Sequence, residues 1–224
     1  MKSQSIERLP RGQVLTKKWP VLTYCETPRF DPATWTFRCF GSVKQPVTWT
    51  WPEFLALPRI QSTSDVHCVT RWSRFDNRWE GVAVSEIFRR SEILPGAQAV
   101  MVHADPDYTT NLLLDDLRGE DALLALKHDG ADLPVEHGGP CRLVVPKLYF
   151  WKSAKWVRGF VPGPQRSGIL GGKRLPSPRR PMEGRALRCP GNRRNAEDAF
   201  RIRPAPSLLE VIPARSTNSA SNSL

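Results

Sequence analysis

Near residue 160 the chain changes character, and the change limits what can fold. Residues 1–160 hold all 8 Trp and all 3 Tyr and are close to charge balance, with 21 Lys and Arg against 18 Asp and Glu. Residues 161–224 hold no Trp or Tyr, 9 of the 21 prolines, and 12 Lys and Arg, 11 of them Arg, against 4 Asp and Glu. A segment of that composition cannot bury enough apolar surface to offset its chain entropy. The expectation is one domain over 1–160, long enough to enclose a core, and a disordered basic tail over 161–224. The net charge of +11 would ordinarily point to nucleic acid. The tail supplies +8 of it and the body only +3. No nucleic-acid partner is therefore expected, and binding through the Arg-rich tail is the weaker alternative.

The five cysteines (25, 39, 68, 141, 189) are odd in number, irregularly spaced and without a CxxC pair. That pattern disfavours a disulfide framework and a zinc knuckle and fits a reducing compartment. The first twenty residues contain no apolar signal core, and no run reaches the roughly 18 apolar residues of a membrane span. The sequence reads as cytoplasmic, with no membrane insertion.

Local patterns suit a mixed α/β domain. Alternation over Trp35–Phe40, closed by Gly41, predicts a half-buried strand. Thr50–Leu57 predicts a short helix, with Thr50 as N-cap, Pro52 in the first turn and Glu53 three positions on. Val82–Leu94 predicts a second helix, stopped by Pro95-Gly96. Ala99–Val102 and Arg142–Val145 are apolar runs of strand length. Leu112–Leu117 and Ala122–Leu126 read as short helices or helical turns, and Tyr108–Asn111, after Asp105-Pro106-Asp107, as a loop.

Cys68 stands in Val-His-Cys-Val-Thr-Arg-Trp-Ser-Arg, residues 66–74. A thiolate is a good ligand for a soft or redox-active metal, and nearby cations such as Arg71 and Arg74, with His67 adjacent, favour the ionised form. A lone cysteine is also commonly a small buried hydrophobe, and these residues alone leave both readings open.

Three longer motifs narrow the choice: HCVTRWSRFDNRWEGV (67–82), YTTNL (108–112) and HGGPCRLVVPKLYFWKSAKWVRG (137–159). Together, from about Leu9 to Phe160, they resemble the small single-domain members of the sulfite oxidase-like molybdopterin oxidoreductases. The resemblance implies an α+β chain with the sulfite oxidase-type molybdopterin-binding fold, mixed β-sheets and short helices. It implies a molybdenum-molybdopterin cofactor in which Cys68 is the only protein ligand of the metal, and two-electron oxygen-atom transfer between Mo(VI) and Mo(IV) on a small oxo substrate. Arg142 corresponds to an arginine that contacts the cofactor, and His137 to a pterin hydrogen-bonding position. Phe150–Trp156, with Lys152, Ser153 and Lys155, corresponds to the phosphate loop, and His67 joins the cofactor-binding set. Arg71 steers an oxyanion with Arg74 and Arg78, unless Asp76 and Glu80 neutralise them. Tyr108 either faces the metal or packs in the core. Residues 20–28 depart from the family pattern, which puts one cofactor contact, at Thr23, in question. No haem, iron–sulfur or flavin motif is present, so a separate electron-transfer partner is expected.

The family's Gly-Phe-Trp-Glu, Asn-Gly-Tyr-His, Gly-Asp-Pro-Trp ending is missing. One set of synonymous codons for Pro164–Glu183, read one base later, spells RSAPGFWEENGYHHPGDPWK. We read the segment that begins between about Phe160 and Pro164 as out-of-frame translation. A catalytically inactive product that keeps part of the fold without stable cofactor is the corresponding alternative function.

Overall fold

The computed structural model describes residues 8–23 and 26–164. From residue 165 on, the tail reading and its out-of-frame origin lie outside the described residues, as do Cys25 and Cys189. Within them, two mixed sheets pack face to face, with few and short helices.

The first sheet is organised by β5 (Trp72–Ala83). One edge of β5 pairs antiparallel with β4 (Arg59–His67) as a long hairpin. Its other edge carries β1 (Val14–Leu15) at Trp72 and Ser73 and, further on, β8 (Leu123–His128) at Trp79–Ala83. β9 (Ala131–Asp132) and β10 (Arg142–Val144) extend the sheet from β8. The second sheet runs β3-β2-β11-β6-β7, comprising Val47–Thr50, Thr36–Cys39, Val157–Gly163, Ala99–Ala104 and Tyr108–Leu113. Only β2 and β11 are parallel neighbours there.

Side-chain alternation sends the first sheet's residues to two destinations. Val82, Leu124, Leu126 and Leu143 join the main core with Phe37, Phe54, Val100 and Phe160 of the second sheet and its helix. Leu123, Ala125 and Val144 face the other way, onto Trp79, Phe150 and the partly buried Trp19 and Trp72. Both faces of β8 are covered, which explains why Ala122–Leu126 is a strand-forming run and not the helical turn the sequence suggested. Tyr108–Asn111 is likewise strand β7 and not loop: β-branched threonines pair with β6 from Tyr108↔Ala104 to Leu113↔Ala99.

The helices are α1 (Trp51–Leu55), α2 (Val84–Ser91) and α3 (Leu114–Leu117). At α1 the Glu53 carboxylate accepts from the Thr50 N–H and hydroxyl at 2.8 and 2.7 Å, the cap the sequence predicts. α2 is shorter than Val82–Leu94: Val82 and Ala83 remain in β5, the helix stops at the left-handed Glu92, and Leu94 is exposed. β11 runs to Gly163, whose carbonyl accepts from Gln98 N–H at 2.9 Å, so sheet pairing continues past the expected boundary at 160. No helix among the described residues is long and apolar enough to cross a membrane.

Candidate active site

The β4–β5 hairpin places Cys68 at its turn, 5% exposed. The turn closes through Cys68 N–H to Trp72 O at 2.9 Å and Arg71 N–H to Cys68 O at 3.0 Å, with Arg71 left-handed at φ 68°. The Thr70 hydroxyl lies 3.1 Å from Cys68 Sγ and donates to it. A polar relay fixes the loop from behind. Gln13 Nε2 donates to the Cys68 carbonyl at 3.0 Å, so its Oε1 must accept from the Ser73 hydroxyl at 3.3 Å. Ser73 has then spent its proton, and the buried His67 donates from Nδ1 to Ser73 Oγ at 2.8 Å. Burial, the leading cause, holds His67 below its ordinary range, consistent with a neutral ring in this role.

Arg142 is the charged counterpart. It leaves β10 on the outer face beside Val144 and is 2% exposed. Its guanidinium donates to His137 O at 2.6 Å and Ser153 O at 2.7 Å and stacks 4.1 Å above Phe150. Burial pushes its pKa down to about 9, and the only opposing influence is Cys68. Arg142 Nε and Trp72 Nε1 are buried donors without a hydrogen-bond partner among the described residues. Buried donors are ordinarily satisfied, so such a pair is a demand for an acceptor.

Lys155 and His137 complete this side. Lys155 donates to Glu136 O at 2.6 Å and Thr23 Oγ1 at 2.9 Å. Its pKa falls to about 8, through burial first and then Arg142. His137 is lowered by burial, then by Arg142 and Lys155. Gly138 between them has φ +107°, and a Cβ there would come within 3.0 Å of Arg142 and Lys155, so glycine lets the backbone pass. Trp19 lies across the group: it stacks on His137 at 3.9 Å and 15°, and meets His128 at 4.4 Å and Arg142 at 5.7 Å.

Residues 24–167 match the family described as oxidoreductase molybdopterin binding domain. The chain belongs to this family. This molybdopterin-binding domain is 44% identical over 153 residues to YuiH of Bacillus subtilis, described as an uncharacterized oxidoreductase, across 68% of this chain and 77% of that one. It is 26% identical over 148 residues to the putative protein-methionine-sulfoxide reductase subunit YedZ1 of Azospira oryzae, across 65% of this chain and 56% of that one. The solved sulfane dehydrogenase SoxCD from Paracoccus pantotrophus has the same fold, with a TM-score of 0.57 at 20% identity over 62% of this chain and 40% of that one.

The contacts above tie Cys68 and His67 into one group through Gln13 and Ser73, and Arg142, His137 and Lys155 into a second around Gly138 and Trp19. Ser153 is buried, and its hydroxyl accepts from Val145 N–H at 3.2 Å, which pins the 150–156 loop to the end of β10. Lys152 does not point outward as a loop cation would: it is 2% exposed and donates to Asn111 O at 2.8 Å, and burial lowers its pKa to about 8 against the pull of Asp116. Tyr108 packs against the main core, and burial raises its pKa while Thr110 opposes. Arg71 is exposed beside Cys68. Asp76 and Glu80 do not neutralise the neighbouring arginines: Arg74 and Arg78 both reach Asp129, at 2.6 and 3.9 Å, while Asp76 pairs with Arg8 at 2.7 Å and Glu80 with Arg59 at 3.3 Å. The left-handed Asp76 interrupts the strand, so cross-strand geometry decides the pairs, not sequence proximity.

Sequence reasoning missed Gln13, Trp19, Thr70 and His128. Trp19 in Lys-Lys-Trp-Pro and His128 before Asp129-Gly130 carry no periodic signal, and only the edge shared by β1 and β8 on β5 brings them close. The residues present fit the family's cofactor. One cysteine offers a single sulfur ligand, so a metal here takes its other ligands from a group that arrives with it, and the unpartnered Arg142 and Trp72 donors suit an acceptor-rich anion.

Proposed function

We propose that this domain is a molybdenum cofactor-dependent oxidoreductase that transfers an oxygen atom to or from a small oxo substrate of sulfite or sulfoxide type. The observation that carries the reading is that Cys68 and Arg142 are both buried and that the Arg142 Nε lacks an acceptor among the described residues. When bound, the cofactor supplies two-electron redox chemistry. Cys68 holds the metal, and the Thr70 hydroxyl and Gln13 amide orient its sulfur and backbone. Arg142 and Lys155 hold the anionic part of the pterin, and His137 contacts the ring. Arg71, exposed at the turn, draws an oxyanion toward the sulfur. In the oxidising direction the substrate gains an oxygen from water, with release of two protons and two electrons, and the electrons leave to a separate carrier. The reducing direction is the reverse. We place the protein in the cytoplasm, without nucleic acid as a partner.

The test is turnover of the loaded protein with sulfite, and separately with methionine sulfoxide, against an artificial electron dye. One substrate turns over, and Cys68→Ser abolishes it. Equal turnover by Cys68→Ser and wild type would overturn the reading.

The alternative of an inactive product rests on the shifted-frame reading, which coding DNA read in three frames around residue 160 decides. If that frame encodes no Gly-Phe-Trp-Glu segment, the tail is genuine and the alternative loses its basis.

A further inference from the structure

The chain from Arg8 to Thr23 is a strap tied to both sides of the site. At one end Gln13 donates to Cys68 O, Val14 N–H donates to Arg71 O at 2.9 Å, and Thr16 N–H donates to Ser73 O at 2.9 Å. At the other end Thr23 accepts from Lys155. Trp19 in the middle turns inward onto His137. The outward residues have a consistent character. Val14, Leu15, Val21 and Leu22 are 67%, 48%, 50% and 50% exposed, and Val69 in the adjoining Cys68 turn is 40% exposed. Between them stand exposed Arg11, Lys17, Lys18 and Arg71, none in an ion pair with a described residue. Neither Arg8–Thr23 nor Val66–Phe75 contains an acidic residue. Asp65 and Asp76, at the border, are both taken by Arg8, at 2.5 and 2.7 Å.

We propose that this strap and the Cys68 turn form the docking surface for the electron-transfer partner, a small acidic one-electron carrier whose redox group sits at an apolar edge rimmed by carboxylates. The proposal rests on the oxidoreductase reading above and adds the partner's chemistry and the place where it lands. Two electrons move per oxygen atom, so two carriers, or one carrier visiting twice, meet the surface in each turnover. Charge complementarity selects the occupant. Exposed cations without an ion pair among the described residues attract an anionic rim and speed encounter, while the exposed valines and leucines offer the apolar contact. The hydrogen bonds from the strap to Cys68 O, Arg71 O and Ser73 O join this surface directly to the turn that carries the Cys68 sulfur.

The test is binding of a plant-type [2Fe–2S] ferredoxin, an acidic carrier, to the full chain, with a basic c-type cytochrome as control. Ionic strength is varied from ~20 mM to ~300 mM, which shortens the Debye length several-fold. The ferredoxin binds, the cytochrome does not, and salt weakens the complex. The exposed double variant Lys17→Glu/Lys18→Glu loses about tenfold in affinity, whereas Arg179→Glu/Arg180→Glu in the basic tail changes it by less than about twofold. Circular dichroism confirms the fold of each variant, and molybdenum content is measured on the same samples. Carrier binding without molybdenum sinks the oxidoreductase reading and keeps the surface. Molybdenum without carrier binding, or a tail variant that matters as much as the strap variant, overturns the surface. Binding to vesicles containing phosphatidylserine but not to the carrier also overturns it, in favour of a membrane surface.

Discussion

Two aromatic clusters lie on opposite faces of the β5 sheet, and they treat charge differently. In the main core, Trp35, Phe37, Phe54 and Phe160 pack edge to face or tilted at 5.2–5.3 Å between ring centres. The cation at its margin, Arg158, lies 5.5 Å from Trp35 and is ion-paired with Asp105 at 3.2 Å. On the outer face, Trp19, Trp72, Trp79 and Phe150 cluster together, and Arg142 lies over Phe150 and Trp19 with no carboxylate partner among the described residues. A buried cation without a counter-charge is costly. The first cluster is a core that holds the sheets together, and the second is a core that carries a buried charge, a cost that the proposed anionic cofactor would offset.

The largest expected effect breaks the first cluster. Phe37→Ala, at a fully buried position, should cost about 3–5 kcal/mol of stability in a denaturant melt, and cofactor should be lost only in proportion to the unfolded fraction. A loss well below that range would mean Phe37 is not central to the core.

Arg142→Met sharpens the contrast. Removing a charge-assisted donor set should weaken cofactor retention by about 1.5–3 kcal/mol, roughly tenfold to hundredfold, as read by pterin fluorescence after dialysis. The cofactor-free variant should melt at or above the wild-type temperature, because an unpaired buried charge has been replaced by an apolar side chain. A variant that keeps cofactor, or melts far lower without it, would make Arg142 a structural residue.

The third effect is of pH. Burial, opposed by Asp129 and reinforced by Arg74, Arg142 and His137, holds His128 down to about 4. The unfolded ring titrates near ~6.5. Between these values the unfolded chain binds more protons, so this contribution is complete above ~6.5 and is lost as pH falls toward 4. His128→Gln should flatten that part of the acid limb in urea unfolding across pH. An unchanged slope would assign the acid loss to the carboxylates alone.

The smallest effect is local. Gln13→Ala removes the donor to the Cys68 carbonyl and leaves Ser73 without its acceptor, worth about 1 kcal/mol. Amide exchange at Cys68 and Arg71 should quicken while global stability changes little. Equal exchange in both proteins would show that the turn holds itself.

Much of the candidate site was legible from three motifs, because the residues proposed for it sit in contiguous runs: the Cys68 turn, Arg142 on its strand, and the 150–156 loop. The short capped helix at Thr50 was legible for the same reason, since its signal is local. What was not legible depends on long-range pairing. Ala122–Leu126 is apolar at every position, and periodicity cannot tell a strand buried on both faces from a helical turn. The inward turn of Lys152 to Asn111 follows from β7 lying beneath the loop, a fact set by the β6–β7 ladder. Trp19 and His128, far apart in sequence, meet only because β1 and β8 share one edge of β5.

The central claim, that the charged outer cluster exists to hold a molybdenum cofactor through a single sulfur, is tested by metal content. The full-length protein, produced in a host that makes the cofactor, is purified beside Cys68→Ser and analysed for molybdenum by mass spectrometry. Wild type should contain molybdenum, and Cys68→Ser should fall to background while its fold, read by circular dichroism, is unchanged. Wild-type protein without molybdenum, or a Cys68→Ser variant with as much as wild type, would contradict the account.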